Sequence, residues 1–241
     1  MITLARPPLN GKLWLRAPHA VPLNIVAVIS GGLALDAAFG WPGQIAAIAW
    51  TFAVFAWLYR VGGANEKRVL ILCTVIAGIG EVFLSLVWGL YDYQFNNVPL
   101  FVPPGHALLM TLGLICARRL PNTVMWTISL GALAWGCYVW VIGFDRFGAA
   151  LFGIYAYCMM TSNAKSLYAT MFVLALMMEL YGTALGNWTW RPIAPWVELT
   201  SANPPFSAGA FYCMLDLLVL GAMRLTDSIL GATRTETVSG E

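Results

Sequence analysis

The sequence predicts an all-α protein, a polytopic bundle of about eight transmembrane helices. Apolar residues make up 60% of the 241 residues and charged residues only 10%, whereas roughly a quarter of the residues of a soluble domain are charged. The apolar residues form long continuous runs without the in-out alternation of a membrane-spanning strand. Because only a helix satisfies its own backbone in lipid, the runs are expected to be helices.

Eight runs approach the length that a membrane crossing requires. The hydrocarbon core of a bilayer is about 30 Å thick, so a helix needs roughly 20 residues to cross it. The predicted spans, in order, are residues 21–39, 44–60, 69–91, 101–117, 123–143, 147–163, 166–186 and 207–225. The sixth is among the shortest, and a re-entrant sixth segment would invert every later element.

The flanking regions complete a single-domain organisation. The first 20 residues contain Pro7, Pro8 and Pro18 among basic residues, which is unlike a cleavable signal peptide. No hydrophilic linker divides the chain. We therefore expect one transmembrane domain over residues 1–225 and a short disordered cytoplasmic tail over residues 226–241.

The basic residues predict the orientation of the bundle. Lys and Arg gather in cytoplasmic loops, and with the amino terminus inside only Arg146 and Arg191 of the 13 basic residues fall outside. With an odd number of spans, the basic residues would no longer be concentrated on the cytoplasmic side. The sequence therefore predicts a multi-pass protein of a bacterial-type cell inner membrane with both termini in the cytoplasm.

Two stretches of the chain resemble each other. Each has a glutamate within a span, an aromatic pair at the outer end of that span, and a proline pair that sets the start of a later helix. The first contains Glu81, Trp88, Tyr91, Tyr93 and Pro103–Pro104, and the second contains Glu179, Trp188, Trp190 and Pro204–Pro205. The pattern is consistent with a repeat of four helices plus four. Chance remains an alternative, because interfacial aromatic pairs are common membrane anchors.

Four acidic residues lie within the predicted spans, namely Asp36, Glu81, Glu179 and Asp216. Each costs about 2.5–3.5 kcal/mol on insertion scales, so such residues face the protein interior or a wet cavity. Together with Asp92 and His106 at the outer mouth, we expect them to converge on a cavity open to the extracytoplasmic side. A protonated acid that only packs helices is the alternative. It stays open for Asp36 in particular. Asp145 and Arg146 are expected to form a solvated turn.

The acids point to acid-base chemistry rather than to metal chemistry. Residues His19 and His106 are the only histidines, and no HExxH, phosphate loop or nucleophile elbow occurs. The five cysteines are scattered singly, so no metal site and no cofactor are indicated. A protonated acid in an apolar cavity can donate a proton, and aromatic faces stabilise a carbocation. The predicted catalytic residues are Glu81, Glu179, Asp92, His106 and Asp216, and the predicted substrate-binding residues are Trp88, Tyr91, Tyr93, Trp188, Trp190 and Arg191.

Part of the sequence resembles membrane carotenoid-biosynthesis proteins of the bisanhydrobacterioruberin hydratase type. The resemblance covers about a quarter of the chain: Glu81 through Tyr91, Tyr93, Val98–Pro99 and Pro103, then residues 186–190 and Asn203–Pro204. The chain departs from that pattern at His106, where a tryptophan-containing helix start is expected, and at Glu179, where Asp is more frequent. Small membrane terpene cyclases are a second likeness. Both resemblances imply isoprenoid chemistry.

We therefore expect an integral membrane enzyme of isoprenoid or lipid metabolism that protonates an alkene, as a hydratase, cyclase or isomerase. Its expected partners are a membrane lipid or isoprenoid substrate and the bilayer itself. Nucleic acid is not an expected partner, because the net charge is only +2 and no dense basic block occurs. Two alternatives stay open: a small proton- or cation-coupled transporter, and a non-catalytic membrane assembly protein. The oligomeric state is not predicted.

Overall fold

The computed structural model describes residues 19–238. The expectation about a signal peptide falls on the first 18 residues and lies outside the described residues. The end of the predicted tail, residues 239–241, lies outside them as well.

Eight helices occur in the described part of the chain. Six of them, counting the π-helical continuation of α3, are long and apolar enough to cross a membrane, and α4 is a shorter apolar helix. The helices are α1 (Ala20–Phe39), α2 (Trp41–Val61), α3 (Ala64–Glu81), α4 (Val102–Ala117), α5 (Asn122–Ile142), α6 (Arg146–Thr161), α7 (Lys165–Leu185) and α8 (Gly209–Val238). The prediction of a polytopic helical membrane protein is confirmed.

Prolines and glycines set the boundaries of these helices. Prolines occupy the first turn of α2 and of α4, where a missing amide donor costs no helical hydrogen bond. Gly143 and Gly186 end α5 and α7 with φ of 77° and 82°, a backbone conformation that glycine adopts readily. The third span begins and ends earlier than predicted: it runs over Ala64–Val87, and a π-helical turn, Val82–Val87, follows α3. Gly89, with φ of 71°, then turns the chain out of the helix.

Two short strand pairs cover one end of the bundle. Strand β1 (Tyr91–Tyr93) pairs antiparallel with β2 (Trp188–Trp190), and β3 (Ile193–Ala194) pairs with β4 (Leu199–Thr200). Because β1 follows α3 and β2 follows α7, the carboxyl ends of α3 and α7 lie at the same end of the bundle. We call the β1–β2 pair the ribbon, and we call this end of the bundle the ribbon end.

Helix α6 runs away from the ribbon end, and α7 returns to it. The hydroxyl of Thr200 in β4 donates to the carbonyl of Gly143, between α5 and α6, at 2.8 Å. This bond places the start of α6 at the ribbon end. Helix α6 therefore runs from the ribbon end to the opposite end of the bundle, which is the direction that a membrane-crossing sixth span requires.

Four helices form the centre of the bundle. Helices α3 and α7 each pack against both α4 and α8, while α1 and α2 pack on α4 and α6 packs on α8. Helix α8 approaches α7 closely at Gly209. A Cβ at this position would lie only 2.5 Å from the backbone oxygen of Phe172, so only glycine fits there. The centre of the molecule is thus made by α3 and α4 from one half of the chain and by α7 and α8 from the other.

Asp145 is buried, so the predicted solvated turn is wrong at this residue. Its side chain is 1% exposed and accepts hydrogen bonds from the backbone amides of Gly148, Ala202 and Phe206 at 3.0, 3.1 and 2.8 Å. It thus caps α6 and ties the segment before α8 to the same point. The sequence did not reveal these partners, because two of them lie more than 50 residues away in the chain.

Asp36 connects three parts of the ribbon end. Its carboxylate accepts hydrogen bonds from the side-chain amides of Asn187 at 2.8 Å and Gln44 at 3.1 Å. The amide of Asn187 also donates to the carbonyl of Leu33. Asp36 therefore joins α1, the start of α2 and the turn after α7, which is the packing role left open by the sequence.

Helix α8 continues beyond the predicted span, from residue 226 to Val238, where the composition predicts a disordered tail. Arg68 in α3 holds the first part of this extension. Its guanidinium donates to the carboxylate of Asp227 at 2.6 Å and to the carbonyl of Met223 at 2.8 Å. These contacts hold the start of the extension against α3, and the predicted disorder of the tail stays a prediction.

We predict that Asp145→Ala lowers the free energy of unfolding by about 2–4 kcal/mol, because buried amide donors lose their acceptor. Arg146→Ala is the matched control; the exposed neighbouring residue should change the free energy by less than about 0.5 kcal/mol. Chemical denaturation in detergent micelles measures both. Equal stability of the two variants would contradict the assigned role of Asp145.

Candidate active site

Glu81 ends α3 and is held by strand β1. The hydroxyls of Tyr91 and Tyr93 each donate to Oε2 of Glu81 at 2.7 Å. Successive side chains of a strand point to opposite faces, so these two tyrosines share one face and Asp92 lies on the other. The Tyr-Asp-Tyr segment thus presents two donors to one buried carboxylate, which is 6% exposed.

The two tyrosines remain donors over the physiological pH range. Burial raises the pKa of the Tyr91 and Tyr93 phenols well above their ordinary value, and the carboxylate of Glu81 raises these pKa values further. Deprotonation would place a second negative charge beside Glu81 in an apolar environment.

His106 contacts the other oxygen of Glu81. Its Nε2 lies 3.2 Å from Oε1 of Glu81, and its Nδ1 lies 2.9 Å from the carbonyl of Val102 in the preceding turn of α4. Because a carbonyl only accepts, we assign the proton to Nδ1. Nε2 and Oε1 therefore face each other across a single shared proton.

Glu179 in α7 has an equivalent set of partners. The indole Nε1 atoms of Trp188 and Trp190 donate to its Oε2 at 2.8 and 3.0 Å. The hydroxyl of Tyr212 donates to its Oε1 at 3.2 Å. An indole nitrogen only donates, so Oε2 of Glu179 is an acceptor in every state of the site.

The two glutamate clusters meet at a pair of stacked rings. The rings of His106 and Tyr212 lie 4.8 Å apart with an interplanar angle of 4°. In the ribbon, Tyr91 pairs with Trp190 and Tyr93 with Trp188. Each glutamate thus receives two donors from the strand that follows its own helix and contacts one ring from the next central helix. The arrangement has approximate twofold symmetry.

Two cavities adjoin these stacked rings. Cavity 1, of about 50 Å³, lies against α1, α4 and α7, and cavity 2, of about 160 Å³, lies between α3 and α8. Both are lined mainly by apolar and aromatic side chains. Five residues line both cavities: Glu81, Tyr91, His106, Glu179 and Tyr212. The carboxyl groups therefore face two apolar spaces.

Asp92 and Arg191 lie outside this site. They are about half exposed, at 52% and 49%, and form an ion pair at 3.2 Å on the outer face of the ribbon. Neither residue lines cavity 1 or cavity 2. The expected convergence of Asp92 with the glutamates is wrong, because strand alternation directs its side chain away from them.

Trp88 also lies outside the two cavities. Its indole nitrogen donates to the carbonyl of Pro195 at 2.6 Å, and its ring stacks on Trp196 at 5.3 Å. These contacts hold the loop between β3 and β4 against the end of α3.

Asp216 occupies a separate buried position. It is one helical turn beyond Tyr212, is 0% exposed, and lines neither cavity. Among the described residues, no group of His, Cys, Asp and Glu is arranged to hold a metal ion. The acids within the membrane therefore do not all meet at one point.

Tyr212 is a site residue that the sequence did not reveal. It lies in an apolar run of α8, where a buried tyrosine is indistinguishable from a packing residue. The repeat was the available signal: the two proline pairs start the helices that carry His106 and Tyr212. His106 and Tyr212 lie at different distances from their proline pairs in the sequence. Their equivalent positions in the two halves therefore become visible only in the structure, where the two rings stack.

No protein-family model, curated protein or solved structure matches the chain. The resemblance to bisanhydrobacterioruberin hydratases therefore stays a prediction.

We predict that Gly182→Ala disturbs the Glu179 cluster, because a Cβ at this position would overlap the indole ring of Trp188. Overpacking of this kind costs about 1–3 kcal/mol. Gly221→Ala is the control, since its Cβ would meet no atom within 4 Å. Thermal unfolding in detergent should show a lower midpoint for Gly182→Ala only. Equal midpoints would mean that Trp188 moves aside without cost.

Proposed function

We propose that this protein is an integral membrane enzyme of isoprenoid or lipid metabolism that protonates an alkene. One observation carries the proposal: two buried glutamates, joined through stacked rings, line two apolar cavities. Apolar cavities with a few convergent polar groups are typical of sites for apolar ligands. Hydration, ring closure and isomerisation all begin with proton addition to a double bond.

Charge balance assigns different roles to the two glutamates. His106 can neutralise one carboxylate, and it contacts Glu81 at 3.2 Å. Glu179 has only neutral donors, the two indoles and Tyr212. An unpaired charge in an apolar interior is costly, so Glu179 is the carboxyl that holds a proton. We assign Glu179 as proton donor and the Glu81–His106 pair as base.

The aromatic residues supply the second requirement of this chemistry. Proton transfer from Glu179 to an alkene carbon leaves a carbocation and a carboxylate. The rings of Tyr91, Trp190 and Tyr212 line the cavity where that cation forms, and their faces attract positive charge. The cation is quenched by loss of a proton to the Glu81–His106 pair or by water that gives up a proton to the same pair. Attack by another double bond closes a ring and moves the positive charge to a new carbon, which is then quenched in one of these two ways.

The topology is part of the same proposal. We place eight crossings in a bacterial-type inner membrane, with both termini cytoplasmic and the ribbon end outside. The division of basic residues supports this orientation, and the approximate twofold symmetry of the site supports a repeat of four helices plus four.

We predict that Glu179→Gln slows deuterium incorporation by about 10²-fold or more, because general acid catalysis contributes about that much. The measurement uses vesicles containing the protein and an acyclic polyprenoid such as lycopene, squalene or geranylgeraniol in D₂O. Mass spectrometry detects carbon-bound deuterium in the product. Glu81→Gln should slow the reaction as well, whereas Asp92→Asn should not.

Two outcomes would contradict the proposed function. Turnover that persists in both glutamine variants would exclude the assigned acid and base. Proton-linked uptake into vesicles, lost in Glu179→Gln without any deuterium incorporation by the parent, would favour a transporter instead.

We predict that Thr189→Cys is labelled from outside the cell by a membrane-impermeant maleimide, whereas Asn122→Cys is labelled only after lysis. Both residues are exposed, and they lie at opposite ends of the bundle because α4 runs from the ribbon end to the turn before α5. The parent protein provides the background labelling of its own cysteines. The reverse pattern would invert the orientation.

A further inference from the structure

The two cavities differ in their access to the bilayer. Cavity 2 is lined by Phe83 and Leu218, whose side chains are 43% and 51% exposed on the outer surfaces of the π-helical turn and α8. In cavity 1 every lining residue is buried or half-buried. Cavity 2 therefore opens laterally towards lipid, whereas no exposed side chain lines cavity 1.

The glutamate cluster lies where the two cavities adjoin. The five residues shared by the two linings include both glutamates and both stacked rings. A molecule that entered from the bilayer through cavity 2 and reached cavity 1 would therefore pass directly along the carboxyl groups. Because cavity 1 is the smaller of the two and no exposed side chain lines it, such a molecule would arrive with one end first.

We propose that cavity 2 is the lateral entrance for a long apolar chain from the bilayer, and that cavity 1 receives the leading end of that chain. This inference rests on the proposed function. The ligand class is a linear isoprenyl or alkyl chain with an unsubstituted apolar end, because no Lys or Arg lines either cavity and the imidazole of His106, which lines both, already contacts Glu81.

Two glycines provide the means to close each cavity separately. Gly80 in α3 lines cavity 2, and Gly105 in α4 lines cavity 1. A Cβ at either position would meet no atom within 4 Å. A Cβ at either position therefore fits without displacing a neighbour, and a larger side chain is expected to occupy the cavity that the glycine lines.

The experiment uses a geranylgeraniol analogue that carries a diazirine at the end remote from its hydroxyl. The full-length protein in phosphatidylcholine vesicles is irradiated with this probe, and the cross-linked peptides are identified by mass spectrometry. In the parent protein, labels are expected on Met178 and Leu108 of cavity 1. In Gly80→Phe, labelling of these residues should fall by about tenfold or more, because an aromatic ring fills the entrance.

Two further variants make the result specific. Gly105→Phe should move the label from Met178 to the cavity 2 residues Phe211 and Leu218. Gly221→Phe is the control for a phenylalanine added to open space on a helix surface, and it should label as the parent does. If Gly80→Phe does not elute as a folded protein in detergent, Leu218→Trp narrows the same entrance from α8.

The outcomes separate the entrance from the chemistry. Undiminished labelling of Met178 in folded Gly80→Phe and in Leu218→Trp would overturn the proposal, as would labels in the parent confined to the lipid-facing surface. The expected labelling pattern in a protein that incorporates no deuterium would refute the proposed enzyme and leave the lateral chain-binding site in place.

Discussion

The two glutamate carboxyl groups beside the cavities impose the main constraint on this structure. Each needs hydrogen-bond donors whenever it is ionised, because an unsatisfied carboxylate in an apolar interior costs several kcal/mol. Helices cannot supply these donors from their backbones, whose amides are already bonded. The donors come instead from side chains on the segments that follow each glutamate-bearing helix.

The strand ribbon is the solution to this constraint. A strand presents every second side chain to the same face, so three consecutive residues deliver two donors to one carboxylate. Tyr91 and Tyr93 serve Glu81 in this way, and Trp188 and Trp190 serve Glu179. The pairing of the two strands then joins the halves of the chain. The same residues that satisfy the acids therefore determine how the halves are aligned.

The difference between the halves matters as much as their symmetry. One central helix contributes an imidazole to the stacked pair and the other contributes a phenol. Only the imidazole can carry a positive charge, so the two glutamates are not equivalent electrostatically. Asp36 and Asp145 stabilise the surrounding loops through neutral amide donors. Their carboxylates act as connectors at the ribbon end and lie apart from the cavities.

The sequence by itself determined the membrane class, the positions of most helices and the presence of two glutamates within spans. Long apolar runs and prolines determine helix positions through local sequence alone. An acid inside an apolar run can also be recognised without knowing which residues it contacts. The aromatic pairs were also visible, because they repeat.

Only the tertiary structure decided which polar residues meet. It joined His106 and Tyr212, placed Asp92, Arg191 and Asp216 elsewhere, and buried Asp145. These outcomes depend on the direction in which a side chain leaves its strand or helix, and on partners distant in the chain. The physical reason is that hydrophobicity is a property of each residue, whereas hydrogen bonding and charge pairing require two residues brought together by the fold.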